Sequence, residues 1–394
     1  MLEEAQEMKH PLTRLLFPRF PPGQLIPIRL LFAILLMCRI LSLDARASDG
    51  SVGAPLVASR PVTYYAIPSP QSGLGQIIIG KRNDVWFTES AANKLGHIDD
   101  SGKVSEYPVP TLNANPYGIA VASDGAIWFT ERTGNAIGRL SSAGSFSEYP
   151  LGTARSLPWG IEISRSGDVW FTEAGPGRIG QLIVSRRSIK EFSLSSKGAV
   201  PRMIAEALDG SHWFTEEAAN KIGNITDDGV LRELPIPTQF SRPYGICTDS
   251  HGTVWFTEQA LNPEPPARVA WGGNKIGRID SASNISEYDV PTSRSVPWTI
   301  TIGRFDRPWF VELTGGQLGE VKSAGDIQEF PLPRINNSDS SALPKSVTVR
   351  ANGDVIRDDS SSVAPDGIAI SHGGDIWFLE TETNRVARIR SVDN

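Results

Sequence analysis

Two cysteines in 394 residues exclude a disulfide framework, and four methionines against ten tryptophans argue against a helical bundle. Long membrane-spanning runs are missing as well. The apolar stretch 30–38 holds nine uncharged residues before Arg39 interrupts it, short of the roughly 20 that cross a bilayer. Basic residues are not in excess either. The formal net charge is -6 with no concentrated basic stripe, so the electrostatic footprint for nucleic acid is absent. What is there describes a folded chain: 40% hydrophobic and 21% charged residues suffice for a sizeable core. The 37 glycines, 29 prolines and abundant tryptophan predict many short strands joined by tight turns.

The N-terminus reads as an address. Lys9, Arg14 and Arg19 precede the apolar stretch, and Asp44-Ala45-Arg46-Ala47-Ser48 offers the alternating small residues that a signal peptidase reads, with cleavage after Ala47. Residues 1–47 are therefore expected to be a signal peptide and the chain to be exported, periplasmic or extracellular. An uncleaved anchor, the alternative, is the only reading that would bring a membrane into play. Removing that segment leaves 32 basic and 40 acidic residues, a net charge of -8, and one thiol, Cys247, which reads as a small apolar strand residue. Residues 48–61 form a lead-in to the domain spanning 62–394.

That domain is built from a repeat. Val85-Trp-Phe-Thr-Glu89 recurs as Ile127-Trp-Phe-Thr-Glu131, Val169-Trp-Phe-Thr-Glu173, His212-Trp-Phe-Thr-Glu216, Val254-Trp-Phe-Thr-Glu258, Pro308-Trp-Phe-Val-Glu312 and Ile376-Trp-Phe-Leu-Glu380. The tryptophans stand 42, 42, 43, 42, 54 and 68 residues apart. Each copy has one internal grammar. A Pro-x-Gly-Ile start such as Pro116-Tyr117-Gly118-Ile119 opens a strand, Ser123-Asp124-Gly125 turns it, and the Trp-Phe-Thr-Glu strand returns. A loop leads to Asn135-Ala-Ile-Gly-Arg-Leu140, then a turn, then Phe146-Ser-Glu-Tyr-Pro150. Four antiparallel strands in about 42 residues are the pattern of a propeller blade, so the fold expected is all-β, a seven-bladed β-propeller. The Glu-Tyr-Pro strand is missing after the seventh copy, while Tyr64-Tyr65-Ala66-Ile67-Pro68 stands before the first. This N-terminal strand is expected to complete the last blade and close the ring, and deleting residues 60–70 to open it.

The loops entering the first strand and joining the second to the third share one face. Both departures from the period, insertions at about 259–273 and 334–362, fall on it and read as functional lids or as tolerated polar insertions. The residue after the opening proline of each blade should border the channel there: Gly75 (after Leu74 in place of Pro), Tyr117, Trp159, Arg202, Tyr244, Trp298 and Asp366. Such an aromatic rim suits a ring-bearing ligand, with Arg202 and Asp366 fixing polar groups; the plain alternative is that the rings plug the channel. The glutamate found in every blade reads as fold grammar, for example as an acceptor for backbone N–H groups of a neighbouring loop; the alternative is a divalent ion held by some of them over the channel.

The phrases Asp84-Val-Trp-Phe-Thr-Glu-Ser-Ala-Ala-Asn-Lys-Leu-Gly96, Asn220-Lys-Ile-Gly-Asn-Ile-Thr-Asp-Asp-Gly229 and Asn274-Lys-Ile-Gly-Arg-Ile-Asp280 resemble the streptogramin B lyase (virginiamycin B lyase) family over about residues 62–392. The resemblance implies a seven-bladed propeller that opens cyclic depsipeptides by elimination, with a histidine base and Mg²⁺ held by carboxylates. The histidine positions it implies, after the opening prolines of blades six and seven, are here Trp298 and Asp366, and the glutamate two residues before the second is Ala364. A metal-binding glutamate past the last Trp-Phe pair falls on Glu380 or Glu382. His97, His212, His251 and His372 read as packing or surface residues. Two functions follow: a Mg²⁺-assisted carbon–oxygen lyase with Asp366 as base and Glu380 and Glu382 as metal ligands, or a non-catalytic propeller binding a small cyclic ester or peptide, a protein or a glycan. A lactonase-like hydrolase is a third, and a monomer is expected.

Overall fold

The computed structural model describes residues 62–259, 273–322, 325–333 and 364–391, with the backbone of 347–349 and 355–357. The expected signal peptide, the lead-in, Trp271 and nearly all of both insertions lie outside the described residues. Within the second insertion, Val347–Val349 pairs antiparallel with Val355–Arg357.

Seven four-stranded antiparallel sheets make the ring. Six contain consecutive strands, as in blade two, where Pro116–Val121, Ile127–Glu131, Ala136–Leu140 and Phe146–Pro150 pair in order. The seventh joins Pro365–Ile370, Ile376–Glu380 and Arg385–Ile389 to the N-terminal strand Val62–Ala66, so the chain closes on itself as its repeat predicts. Val62 pairs with Ile389 and Ala66 with Arg385. Tyr65 stacks on Trp377 at 5.3 Å, the role that fourth-strand Tyr107 plays for Trp86 and Tyr149 for Trp128.

Each letter of the repeat has a packing reason. The phenylalanine of the second strand is fully buried and faces a third-strand glycine, as Phe129 faces Gly138. A Cβ at Gly138 would lie 2.1 Å from that ring, so the third strand must carry glycine there. Blade seven is the exception, with Ala387 opposite Phe378. The threonine hydroxyl ties blades together. Thr130 Oγ1 accepts from Gly118 N at 2.8 Å and donates to Trp159 O of the next blade at 2.9 Å. The same bridge runs from Thr88 to Tyr117, Thr172 to Arg202, Thr215 to Tyr244 and Thr257 to Trp298. Blade six has Val311 in its place, and Thr299 supplies the hydroxyl instead, donating to Asp366 O at 2.9 Å. Cys247 faces Trp255 in the strand register, and burial pushes its thiol pKa up.

The turn between second and third strands needs a left-handed residue. Asparagine fills it in five blades, as at Asn135 (φ 57°), and Gly177 and Gly316 fill it in blades three and six. The Asn135 amide also donates to Leu151 O and Thr153 O, pinning the chain as it leaves for the next blade. This fixes the face on which the first strands begin.

Candidate functional site

The seven first strands line the channel, and a bulge after each opening residue turns the following side chain toward its mouth. There the rim residues meet one another. Tyr244 and Trp298 stack at 4.0 Å and 25°, Tyr117 lies 4.6 Å from Trp159, and the Trp159 and Tyr244 rings meet edge to face at 6.5 Å. The Tyr117 and Tyr244 hydroxyls are 2.5 Å apart, and Trp159 Nε1 donates to Tyr244 Oη at 3.1 Å. Burial raises both tyrosine pKa values, so the hydroxyls keep their protons.

Arg202 joins this cluster. It is only 2% exposed, its guanidinium lies 4.0 Å from the Trp159 ring, and its Nε donates to Glu217 Oε2 at 2.5 Å. Glu217 also accepts from Arg242. A buried carboxylate shared by two guanidiniums is a satisfied network, and Arg202 is committed to it. Trp159, Tyr244 and Trp298 are likewise 1–4% exposed, which leaves Tyr117 and Asp366 as the half-buried members of the rim. Gly75 places no side chain between their two blades, and a Cβ there would come within 3.1 Å of Tyr117 Cδ2. Asp366 is near enough to Tyr117 to add to the rise in its pKa.

A second ring escaped the sequence reading. The residue after the repeated glutamate (Ser90, Arg132, Ala174, Glu217, Gln259, Leu313 and Thr381) sits one step outside the rim. Arg132 places its guanidinium 3.9 Å from the Trp159 ring and 5.3 Å from that of Tyr117. Gln259 is buried, and neither end of its amide has a hydrogen-bond partner among the described residues. The signal was available, since this position varies freely beside an otherwise constant phrase.

The repeated glutamates are buried in all seven blades, but the backbone N–H groups of the neighbouring loop go elsewhere. They are taken by the fourth-strand glutamate: Ser69 N by Glu106, Thr111 N by Glu148, Thr238 N by Glu287 and Thr292 N by Glu329. The inner carboxyls have no such donors. Burial, with the fourth-strand carboxylate adding to it in most blades, pushes Glu89, Glu216, Glu258 and Glu312 up to about 8 and Glu131 and Glu173 up to about 7. Blade seven differs because Tyr64 stands where the others have that second glutamate. Glu380 Oε2 there accepts from Arg385 Nη2 at 2.5 Å, Arg385 Nε at 3.1 Å and Thr383 Oγ1 at 2.7 Å. Glu382 is exposed.

The donor set expected for Mg²⁺ does not fit a metal. Glu380 is 1% exposed and its Oε2 is held by a guanidinium, which a cation would have to displace. Among the described residues no three histidine, cysteine or acidic side chains converge as a metal cluster. The histidines stand away from the rim. His97 bonds Asp84 at 2.8 Å against Trp86, and fully buried His212 lies between Glu162 (2.7 Å) and Asp227 (3.0 Å). His251 and His372 are exposed in turns of the opposite face.

The model of the virginiamycin B lyase family matches residues 45–263 and 269–356. Virginiamycin B lyase of Nocardia farcinica is 30% identical over 140 residues, which cover 29% of this chain and 48% of that protein, about half its length. A solved streptogramin B lyase is 34% identical with a TM-score of 0.72, covering 85% of this chain and 99% of that one. A catalytically inactive histidine-to-alanine variant of virginiamycin B lyase from Staphylococcus aureus, solved with quinupristin, is 31% identical with a TM-score of 0.71, covering 84% and 99%.

Proposed function

This chain belongs to the virginiamycin B lyase family, and from that premise we propose that it binds a ring-bearing cyclic peptide or depsipeptide on its rim without opening it. The observation that carries the reading is the identity of two rim residues. Where the family resemblance implies histidine, this chain has Trp298, stacked on Tyr244, and Asp366. Elimination needs a base whose pKa lies near the working pH, poised at the substrate. The described rim carries a carboxylate and no imidazole, and a single histidine-to-alanine change is the variant described as catalytically inactive in the Staphylococcus aureus relative. Mg²⁺ has no place in this reading of the site, because Arg385 already pairs with Glu380.

The ligand would rest on the half-buried side of the plug. Tyr117 offers a ring face, Arg132 a cation held over aromatics, and Asp366 an acceptor for an amide N–H, with Gly75 letting Tyr117 pack close to blade one. The export signal read in residues 1–47 would place this binding outside the cytoplasm. Quinupristin is the probe, followed by quenching of tryptophan fluorescence. Saturable binding is expected, weakened about tenfold by Tyr117→Ala and by Asp366→Ala, the loss of one good contact. Unchanged affinity in both variants, or no binding by the parent chain, would contradict the proposal.

A further inference from the structure

The third-strand residue opposite the repeated tryptophan is polar in every blade, and in six blades it finds a side-chain partner in the turn before the tryptophan strand. His97 bonds Asp84 at 2.8 Å, Arg139 Nη2 donates to Asp124 at 2.7 Å and Arg388 Nε to Asp375 at 2.9 Å. Blades three, four and six are matched in the same way, the last with the charges exchanged between Glu320 and Arg307. Blade five breaks the pattern. Arg278 pairs in register with Trp255 and places its guanidinium 5.7 Å from that ring, while the residue before the strand is Thr253, which carries no charge. Asp249 of the same turn accepts instead from Trp255 Nε1 at 3.2 Å and from the N–H groups of His251 and Thr253. The nearby Asp280 is taken by Asn284 N at 2.8 Å, Asn284 Nδ2 at 3.0 Å and Ala282 N at 2.9 Å. Among the described residues no carboxylate bonds Arg278.

That guanidinium lines a cleft of about 430 Å³ between blades five and six, on the face opposite the rim. Trp255, Tyr288 and Phe305 supply its rings, and Arg307 and Lys322 join Arg278, so three cations face one carboxylate, Asp306, in a chain of net charge -6. Asp306 is already engaged. It accepts from Ser250 N at 3.3 Å and from Ser250 Oγ, and lies 3.2 Å from His251 Nδ1. Arg307 pairs with Glu320 at 3.2 Å, which leaves Arg278 and Lys322 as the uncompensated charges of the cleft. Phe305 is a second departure from the repeat. The tips of the corresponding turns carry Arg82, Asp124, Ser166, Asp209, His251 and Gly373, and none of these has positive φ. Phe305 is 77% exposed at φ 60°, a left-handed backbone that disfavours a bulky side chain, and the Asp306 bonds to blade five pin the turn in that state. A strained ring that packs into no core stands at the mouth of a basic, ring-lined cleft.

We propose that this cleft binds a small aromatic carboxylate, its acid group on Arg278 with Lys322 in support and its ring among Trp255, Tyr288 and Phe305. A guanidinium matches a carboxylate with two parallel hydrogen bonds, the partner that the other blades build in and blade five omits. Aromatic walls favour a ring over an aliphatic acid. The volume lies within the range of small-molecule sites and holds one or two fused rings. The site is independent of the rim, which lies on the other face.

The probe is 2-naphthoate, titrated into the full chain and followed by saturation-transfer NMR. Saturable binding is expected with a Kd on the order of 1 mM, the affinity that ordinary contact efficiency gives a ligand of that size. Acetate, which has the charge without the ring, and 2-naphthamide, which has the ring without the charge, should each bind about tenfold more weakly, as should naphthoate to Arg278→Gln. Phe305→Gly should weaken naphthoate about threefold while its thermal midpoint stays at or above that of the parent, because glycine adopts φ 60° without penalty. That second reading separates a lost contact from a misfolded turn. No saturable binding by the parent, naphthamide bound as tightly as naphthoate, or unchanged affinity in Arg278→Gln would overturn the assignment.

Discussion

A chain lacking residues 62–66 is expected to yield no folded monomer. That strand supplies the whole outer edge of blade seven, five residues in register from Val62 with Ile389 to Ala66 with Arg385. Its loss would leave Trp377 without the Tyr65 ring and take away the strand that anchors Ile67 and Ser69, whose carbonyls accept from the Asn384 amide. More is at stake than one ladder. Asn384 Oδ1 also accepts from Ser72 N at 2.9 Å and Ser72 Oγ at 2.6 Å, so the same residue joins blade seven to the loop that starts blade one. Removing a strand's hydrogen bonds and its stacked ring costs more than about 5 kcal/mol, comparable to the total stability of an ordinary domain. It also exposes an edge that templates aggregation. Size-exclusion chromatography and circular dichroism of the truncated chain give the answer. Aggregate, or a monomer without cooperative unfolding, is expected; a monomer with the parent midpoint would show that closure does not depend on this strand.

The second large effect is a loss of stability in alkali. Six buried glutamates hold their protons in the folded ring up to about 7 or 8, against about 4.5 for a free side chain. The folded state therefore binds more protons than the unfolded state between those values. Their contribution is complete below the ordinary carboxyl range and is lost as pH rises through 7 to 8. His212 acts in the same direction. Burial lowers its pKa, but hydrogen bonds to Glu162 and Asp227 outweigh that and raise it, so its contribution too is lost on deprotonation. The outer glutamates oppose this only in acid: Glu233 is brought down to about 2 against its burial by Lys221, Ser195 and Ser196, and its contribution disappears as pH falls toward that value. Stability should thus peak near pH 5, with the unfolding midpoint dropping on the order of 10 °C by pH 9. Glu216→Gln, which cannot ionise, should flatten part of that fall. A midpoint constant from pH 5 to 9 would contradict the burial of these groups as neutral acids.

Most of the architecture was legible because a repeat prints its own constraints. Trp-Phe-Thr-Glu carries a stacked ring, a buried ring, an inter-blade hydroxyl and a buried acid in four letters, and its five copies with the two variants Trp-Phe-Val-Glu and Trp-Phe-Leu-Glu count the blades. The missing fourth strand after Glu380 and the spare one at Tyr64 foretold closure. The rim positions were legible as well, since a proline marks six of the seven. Their state was not: Trp159, Tyr244 and Arg202 bind one another across blades 42 or more residues apart, and nothing local signals that Glu217 claims Arg202. The two glutamates of a blade illustrate the same limit. Which of them takes the loop N–H groups depends on their distance from the neighbouring blade, and the outer one, Glu106 or Glu148, is the nearer.

The site reading turns on whether the rim can do more than hold its ligand, and the mass of a streptogramin B antibiotic after long incubation with concentrated protein decides it. Elimination would give a linear product of unchanged mass, separable from the ring by chromatography, and hydrolysis would add one water. With Trp298 and Asp366 at the implied histidine positions, intact cyclic antibiotic is expected, with or without Mg²⁺. A linear product at unchanged mass, formed in proportion to protein and abolished by Asp366→Ala, would contradict it.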